Sequence, residues 1–287
     1  MKSSANSDNL TALWLLLPAL LILFFVLLFP ILSTLALSFG ISFDKYDFNF
    51  LNYLRLFFDP EFWHSFTNTV VFVVLSVGGD LIVGLAVALL LNQSFRGNSF
   101  FRVLLLLPWM IPSVVTGVNW RWMYNPVSGI ITYAFQQLGW LGEGVSWLSS
   151  PSTALFSIIV ANIWRGFPYV MLVLLVGLQS ISHDIYEAGE IDGVNLWQRF
   201  FYLTLPNLKK SIIVVSVLTT IWEFRQLDLI MTMTGGGPGN VTDVLVTTVY
   251  KQYFQFFQFE YASAIAIVMS VFMLVVSIPY IKGILKD

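Results

Sequence analysis

A chain of 287 residues with 57% hydrophobic side chains, 26 Phe and 10 Trp, but only 10% charged residues, has a mean hydropathy of +0.79, far outside the composition of water-soluble domains. A net charge of −2 offers no basic surface for nucleic acid, and two histidines (His64 and His183) with no cysteine exclude zinc, haem and iron–sulfur centres as well as disulfides. These are the marks of an all-α integral membrane protein, read as one domain over 1–287 with no metal site.

Six apolar runs reach the roughly 20 residues that cross a hydrocarbon core. They lie at 12–38, 65–92, 101–123, 152–179, 210–232 and 260–282. The first follows Lys2 in the manner of a signal peptide. Its apolar stretch exceeds the roughly 7–15 residues of a signal core and no small-residue cleavage site follows, so it reads as a retained helix. The loop 39–64 carries Asp44, Asp47, Asp59 and Glu61. In helix 65–92, Asp80 stands mid-span beside Gly78 and Gly79, where a carboxylate reads either as a backbone-bonded kink or as part of a polar layer. Pro30, Pro108, Pro112 and Pro168 read as kinks, and the loop 124–151, rich in Gly, Ser and Trp, suits interfacial turns or a short helix.

Helix 152–179 places Asn162, Gly166 and Tyr169 at i, i+4 and i+7, with Arg165 between them. Beyond it, the polar stretch 180–209 holds Asp184, Glu187, Glu190, Asp192 and Arg199 and cannot lie in lipid. Ser182 is a capping residue for a short helix with Asp184 in its first turn and an apolar edge of Ile185, Ala188 and Ile191. Gly193 suits a C′ position, and Asn195 with Gln198 forms a capping box for a second helix that Pro206 is expected to stop.

In 210–232, Glu223, Gln226 and Leu227 share a helical face, while Arg225 and Asp228 sit three apart and read either as mutual neutralisers or as substrate contacts. Arg165 reads equally as a partner of Glu223 or Asp80 or as a substrate contact. The spans 152–179 and 210–232 enter from opposite sides, so Asn162–Tyr169 and Trp222–Asp228 share a depth, and Asp80 falls near it. The run Thr234-Gly235-Gly236-Gly237-Pro238 lacks the Lys-Ser or Lys-Thr of a phosphate-binding loop and reads as a tight turn.

Orientation follows from Lys and Arg. Lys2, Arg96, Arg102, Arg199, Lys209, Lys210, Lys282 and Lys286 fall on one side and Lys45, Arg55, Lys251 and, at the boundary, Arg121 on the other, which predicts both termini in the cytoplasm, with 180–209 beside them.

Glu187-Ala188-Gly189, with Gly193 six residues after the Glu and Leu203-Thr204-Leu205-Pro206 beyond, resembles the EAA loop of ABC importer permeases. Gly189 replaces the usual second Ala and Leu203 the usual Ile. Arg102-Val103-Leu104 through Leu107-Pro108-Trp109-Met110-Ile111-Pro112, Trp120-Arg121-Trp122-Met123-Tyr124-Asn125-Pro126, and the Gly235–Pro238 run with Thr242 are similar to permeases for carbohydrate uptake of the maltose and glycerol-3-phosphate type.

The resemblance implies six transmembrane helices, N-in/C-in, in a bacterial or archaeal plasma membrane. It implies a transport subunit that hydrolyses no ATP and pairs with a second permease subunit, two ATPase subunits that bind ATP and magnesium, and an extracytoplasmic solute-binding protein. Glu187, Ala188, Gly189, Gly193, Leu205 and Pro206 are then the ATPase-coupling residues. Sugar contacts fall on Asn162, Gly166 and Tyr169, and on Glu223 and Gln226, where the maltose-type permease has two Asn. Arg165 and Arg225 suit the alternative cargo, glycerol-3-phosphate or a related polyol phosphate. A secondary transporter using Asp80, Glu223 or Asp228 as an ion site, and a scaffold with no transport, are the remaining readings.

Overall fold

The computed structural model describes residues 15–42, 46–139 and 146–285. Lys2, Asp44, Lys45 and Lys286, and the start of the 12–38 run, lie outside these. Among the described residues five helices are long and apolar enough to cross a membrane, or six if one bent pair is a single span. The chain falls into two compact units, Met1–Asp59 with Val249–Ser270, and Pro60–Thr248 with Val271–Asp287.

In the first unit, α1 (Leu15–Ser38) is exposed along its length, as a helix meant for lipid is: Leu15, Leu20, Phe25 and Ile31 all face outward. Its end is tied down by Ser38, whose hydroxyl lies 2.7 Å from that of Tyr53 on α2 (Leu51–Phe58), and by Phe39 packing on Phe48, Phe50 and Tyr53. The Arg55 guanidinium sits 4.0 Å over the Tyr261 ring, and the Tyr261 hydroxyl donates to Asp59. The loop expected at 39–64 thus contains a helix, with Asp59 held extended by the proline that follows.

In the second unit, α3 (Pro60–Leu91) starts five residues before the apolar run at 65 because Pro60 and Glu61 suit a first turn. It packs along α7 (Ala154–Gln179), the most buried span. The predicted span 101–123 is two helices, α4 (Asn98–Met110) and α5 (Ser113–Met123), bent by 94°. The sequence before Pro112 dictates the break: Ile111 is extended at ψ 129, as a residue preceding proline must be. The short helix expected in 124–151 is α6 (Ile130–Gln137).

A polar hairpin follows, made of α8 (His183–Ile191) and the start of α9 (Leu196–Phe224). Pro206 does not stop this second helix. A π-turn at Arg199–Thr204 precedes it, and Pro206 then falls in a first α-turn, where the missing N–H is tolerated. The predicted helix 210–232 is therefore redrawn: α9 runs 29 residues from the hairpin to Phe224, breaks at 225–227, and resumes as α10 (Asp228–Met233). Thr234 and Thr242 close the glycine turn through hydroxyls 2.8 Å apart. α11 (Leu245–Tyr250) and α12 (Phe259–Leu285) complete the chain.

Two apolar clusters lie at different levels of the second unit. One joins Phe72, Ile158, Ile159, Leu229, Ile230 and Met233, and the other joins Leu91, Val170, Met171, Leu174, Leu208 and Val215. On α3, α7 and α9 alike, buried polar residues lie between these clusters: Ser76 and Asp80, Asn162, and Thr219, Thr220 and Glu223. The polar layer expected at membrane depth is thus a band sandwiched between apolar contacts.

Candidate functional site

A cavity of about 130 Å³ opens in this band. Its polar wall is Asp80 from α3, Arg165 from α7, and Thr219, Glu223 and Gln226 from α9 and the break after it. Its aromatic wall is Trp109, Tyr169 and Trp222, with ring centres 5.7 Å apart for Trp109–Tyr169, near parallel, and 4.7 Å for Tyr169–Trp222.

Asn162 is 1% exposed and does not line the cavity. It stands behind the wall and arranges it. Its Nδ2 donates to Glu223 Oε2 at 2.5 Å, and its Oδ1 accepts from Gln226 Nε2 at 2.8 Å. The two contacts fix the amide orientation, because the carboxylate accepts only. Glu223 and Gln226 were expected to share a helical face, but α9 ends at Phe224 and Gln226 lies in the break. What brings them together is their common partner on α7.

Arg165 Nε donates to the Ile111 carbonyl at 3.4 Å, across the bend where no helical N–H is available to it. Among the described residues Arg165 makes no direct ion pair with Asp80 or Glu223, though its charge acts on both. Arg225 and Asp228 form no ion pair either; both are exposed at the α9–α10 break, and Arg225 does not reach the cavity. Asp80 is not bonded to backbone at a kink. Helix α3 is continuous through Gly78 and Gly79, and both Asp80 carboxylate oxygens are buried without a hydrogen-bond partner. They lie over Gly166, where a Cβ would come within 2.6 Å and 2.7 Å of them. Trp109 joins the site because the 94° bend carries the end of α4 toward α7, a placement that no spacing in the sequence signals.

The hairpin is built from local contacts. Asp184 N–H donates to Ser182 Oγ, and Gly193 at φ +74 closes α8 with Val194 N–H on the Gly189 carbonyl and Gly193 N–H on the Glu190 carbonyl, the paired bonds of a Schellman end. The Asn195–Gln198 capping box is complete, with both bonds at 2.9 Å. The inward face of α8 differs from the expected Ile185–Ala188–Ile191 edge: Ile185, Tyr186 and Gly189 turn in, whereas Ala188 and Ile191 are exposed. Arg199 explains the rotation, lying 4.4 Å over the Tyr186 ring and 3.1 Å from Glu190. A Cβ on Gly189 would meet the Leu203 side chain at 2.6 Å, so the two departures from the usual EAA pattern touch each other, the smaller residue making room for the Leu. Glu187 is exposed and 3.4 Å from His183. Leu205 and Pro206 follow the π-turn, half-buried and exposed respectively.

Residues 80–281 match the family model described as binding-protein-dependent transport system inner membrane component. The chain is 36% identical over 272 residues to the trehalose/maltose transport system permease protein of Thermococcus litoralis, covering 93% of this chain and 91% of that one. It is 34% identical over 280 residues to the sulfoquinovosyl glycerol transport system permease protein of Agrobacterium fabrum, covering 96% and 90%. Its fold is similar to a chain of a bacterial ABC transporter that imports the acidic polysaccharide alginate, with a TM-score of 0.84 at 21% identity over 98% of this chain and 99% of that one. Long apolar helices, a buried polar band and a family match across well over half of its length agree: the chain belongs to the inner-membrane permease components of binding-protein-dependent ABC importers.

Proposed function

We propose that the chain forms one half of the path by which an ATP-driven importer moves a sugar across the membrane. The observation that carries this is the cavity wall: Glu223 and Gln226 present groups that bond hydroxyls, and Trp109, Tyr169 and Trp222 present aromatic faces suited to the apolar side of a sugar ring. The trehalose/maltose relative supports the same cargo class. A volume of about 130 Å³ is below the roughly 300–1,000 Å³ usual for a ligand pocket. A second permease subunit completes it.

In this reading both termini face the cytoplasm and the hairpin receives two ATPase subunits, which supply the energy. Glu187 is the candidate ion-pair partner, and the exposed Ile191, Leu196 and Trp197 offer an apolar seat. Closure of the ATPases reaches the cavity through rigid elements: α9 runs unbroken from Leu196 to Glu223, and α7 ends three residues before Ser182. Tilting the hairpin therefore moves Glu223 and Gln226 against Asp80, which is alternating access. Gly166 serves by leaving space for Asp80, and Asn162 by positioning its two partners.

The alternative cargo, a polyol phosphate, is disfavoured: Asp80 and Glu223 lie in the wall that it would meet, and Arg225 is outside. The test is substrate uptake by the complex reconstituted in vesicles with binding protein and ATPases. Glu187→Lys is expected to abolish ATP-driven uptake. Uptake that continues without ATPase subunits and collapses with an uncoupler overturns the reading in favour of ion-coupled transport.

A further inference from the structure

We propose that Asp80 is the specificity-determining residue of this cavity: its carboxylate accepts hydroxyls of a neutral sugar and turns away sugars that carry an acid group. The inference rests on the sugar reading above and narrows it to one charge class.

Asp80 is 1% exposed, lines the cavity, and has neither carboxylate oxygen satisfied. Buried polar groups are nearly always paired, so an unpaired one at the edge of a cavity is a point of contact open to what enters it. The other polar groups of the wall are already engaged in part. Glu223 is held by Asn162, Gln226 donates to Asn162, Arg165 donates to Ile111, and the Thr219 hydroxyl donates back to its own helix at Val215. Of these groups Asp80 is the one with both side-chain oxygens unpaired; they lie buried at the cavity edge against Gly166, and an unpartnered carboxylate can accept two neighbouring hydroxyls once the wall parts to admit them.

The backbone opposite is shaped to keep it so. Gly166 leaves the carboxylate in contact with bare Cα on α7, where any side chain would collide. Charge decides the cargo class. The wall holds two carboxyl groups, Asp80 and Glu223, and one cation, Arg165. A uronate or a sulfonated sugar would add a third acid group to a wall with a single guanidinium to balance it. A neutral sugar instead supplies the donors that Asp80 lacks.

The experiment reads the cavity without the binding protein. The complete membrane complex in lipid nanodiscs is titrated with neutral mono-, di- and oligosaccharides, trehalose and maltose among them, and with glucuronate and galacturonate, following the tryptophan fluorescence to which Trp109 and Trp222 contribute. Neutral sugars are expected to bind at least about tenfold more tightly than uronates. Asp80→Asn, of nearly the same size, is expected to weaken neutral binding by about tenfold, the size of one hydrogen bond to a charged group, while leaving uronate binding equal or improved. If that variant does not assemble with its partners on size exclusion, Asp80→Glu, which keeps the acid and displaces it by one carbon, is read for the same ratio. Unchanged neutral affinity in the variant, or tighter binding of uronates by the parent complex, overturns the proposal while leaving a sugar importer. Binding of no sugar by the parent complex overturns the sugar reading itself.

Discussion

The hairpin at 180–209 and the cavity around Asp80 are built by opposite means. In the hairpin the partners are close in the chain: Ser182 with Asp184, Asn195 with Gln198, Gly193 with Glu190. In the cavity they are far apart. Asn162 meets Glu223 across 61 residues and Gln226 across 64, and Asp80 meets Gly166 across two helices. The hairpin is specified by capping chemistry within a short stretch of chain. The cavity exists only when four helices, α3, α4, α7 and α9, pack, so its chemistry answers to small changes in how they sit. In the proposed function the hairpin receives force, which local stiffness serves, and the cavity alternates between two openings, which is served by contacts that packing can make and release.

This contrast predicts where substitutions act, beginning with the largest effect. Asn162→Ala leaves a buried carboxylate and a half-buried amide without their partner, a loss of about 2–4 kcal/mol. Thermal unfolding of the purified chain should show it, whereas Glu223→Gln, which keeps a bonding group there, should be milder; equal loss in both would mean that the network is not what orders the band. Gly166→Ala comes next. Its Cβ would press on the Asp80 carboxylate, and overpacking of this kind costs about 1–3 kcal/mol. Reconstituted uptake should fall more than assembly does, and an Ala variant with full uptake would show that the space over Gly166 is unused.

Changes in the hairpin should be smaller in stability and different in kind. Gly193→Ala forces a side chain to φ +74 at a cost of about 1–2 kcal/mol, with Gly193→Asn less affected. The expected readout is a lower ATPase rate on addition of substrate with sugar affinity unchanged, so a shift in affinity would erase the separation between the two regions. Smallest is Asn195→Ala, which removes one half of the capping box for about 1 kcal/mol. Proteolysis at the hairpin turn should quicken while the cavity is untouched.

Legibility in the sequence follows the same division. Caps, the left-handed glycine and the capping box were readable because each obeys a rule spanning a few residues. Breaks were harder. Pro112 was read as a kink and proved to be a 94° bend, while Pro206 was read as a stop and is passed by a helix that a π-turn readjusts. A proline removes one N–H, but whether the chain turns or continues depends on what serves the carbonyls around it. At the bend the Pro108 carbonyl takes the Ile111 N–H, and the Ile111 carbonyl is served by Arg165, from another helix. Membership of Asp80 in a polar band was foreseeable from its depth, but its lack of any partner was not. Trp109 in the wall and Arg225 outside it were beyond spacing arguments, since the bend in one helix and the break in another decide which way they project.

The sequence by itself determined that this is a helical membrane protein, roughly where its apolar spans lie, how its polar hairpin is capped, and which family it resembles, because hydropathy and capping depend on neighbours in the chain. Only the tertiary structure decided that Asn162 stands behind the wall and not in it, that α9 joins hairpin to cavity without a break, and that Asp80 lines the cavity with both oxygens buried and unpaired. Those are properties of helices packed against one another, and a side chain's partner across 60 residues or more is set by that packing and by nothing local.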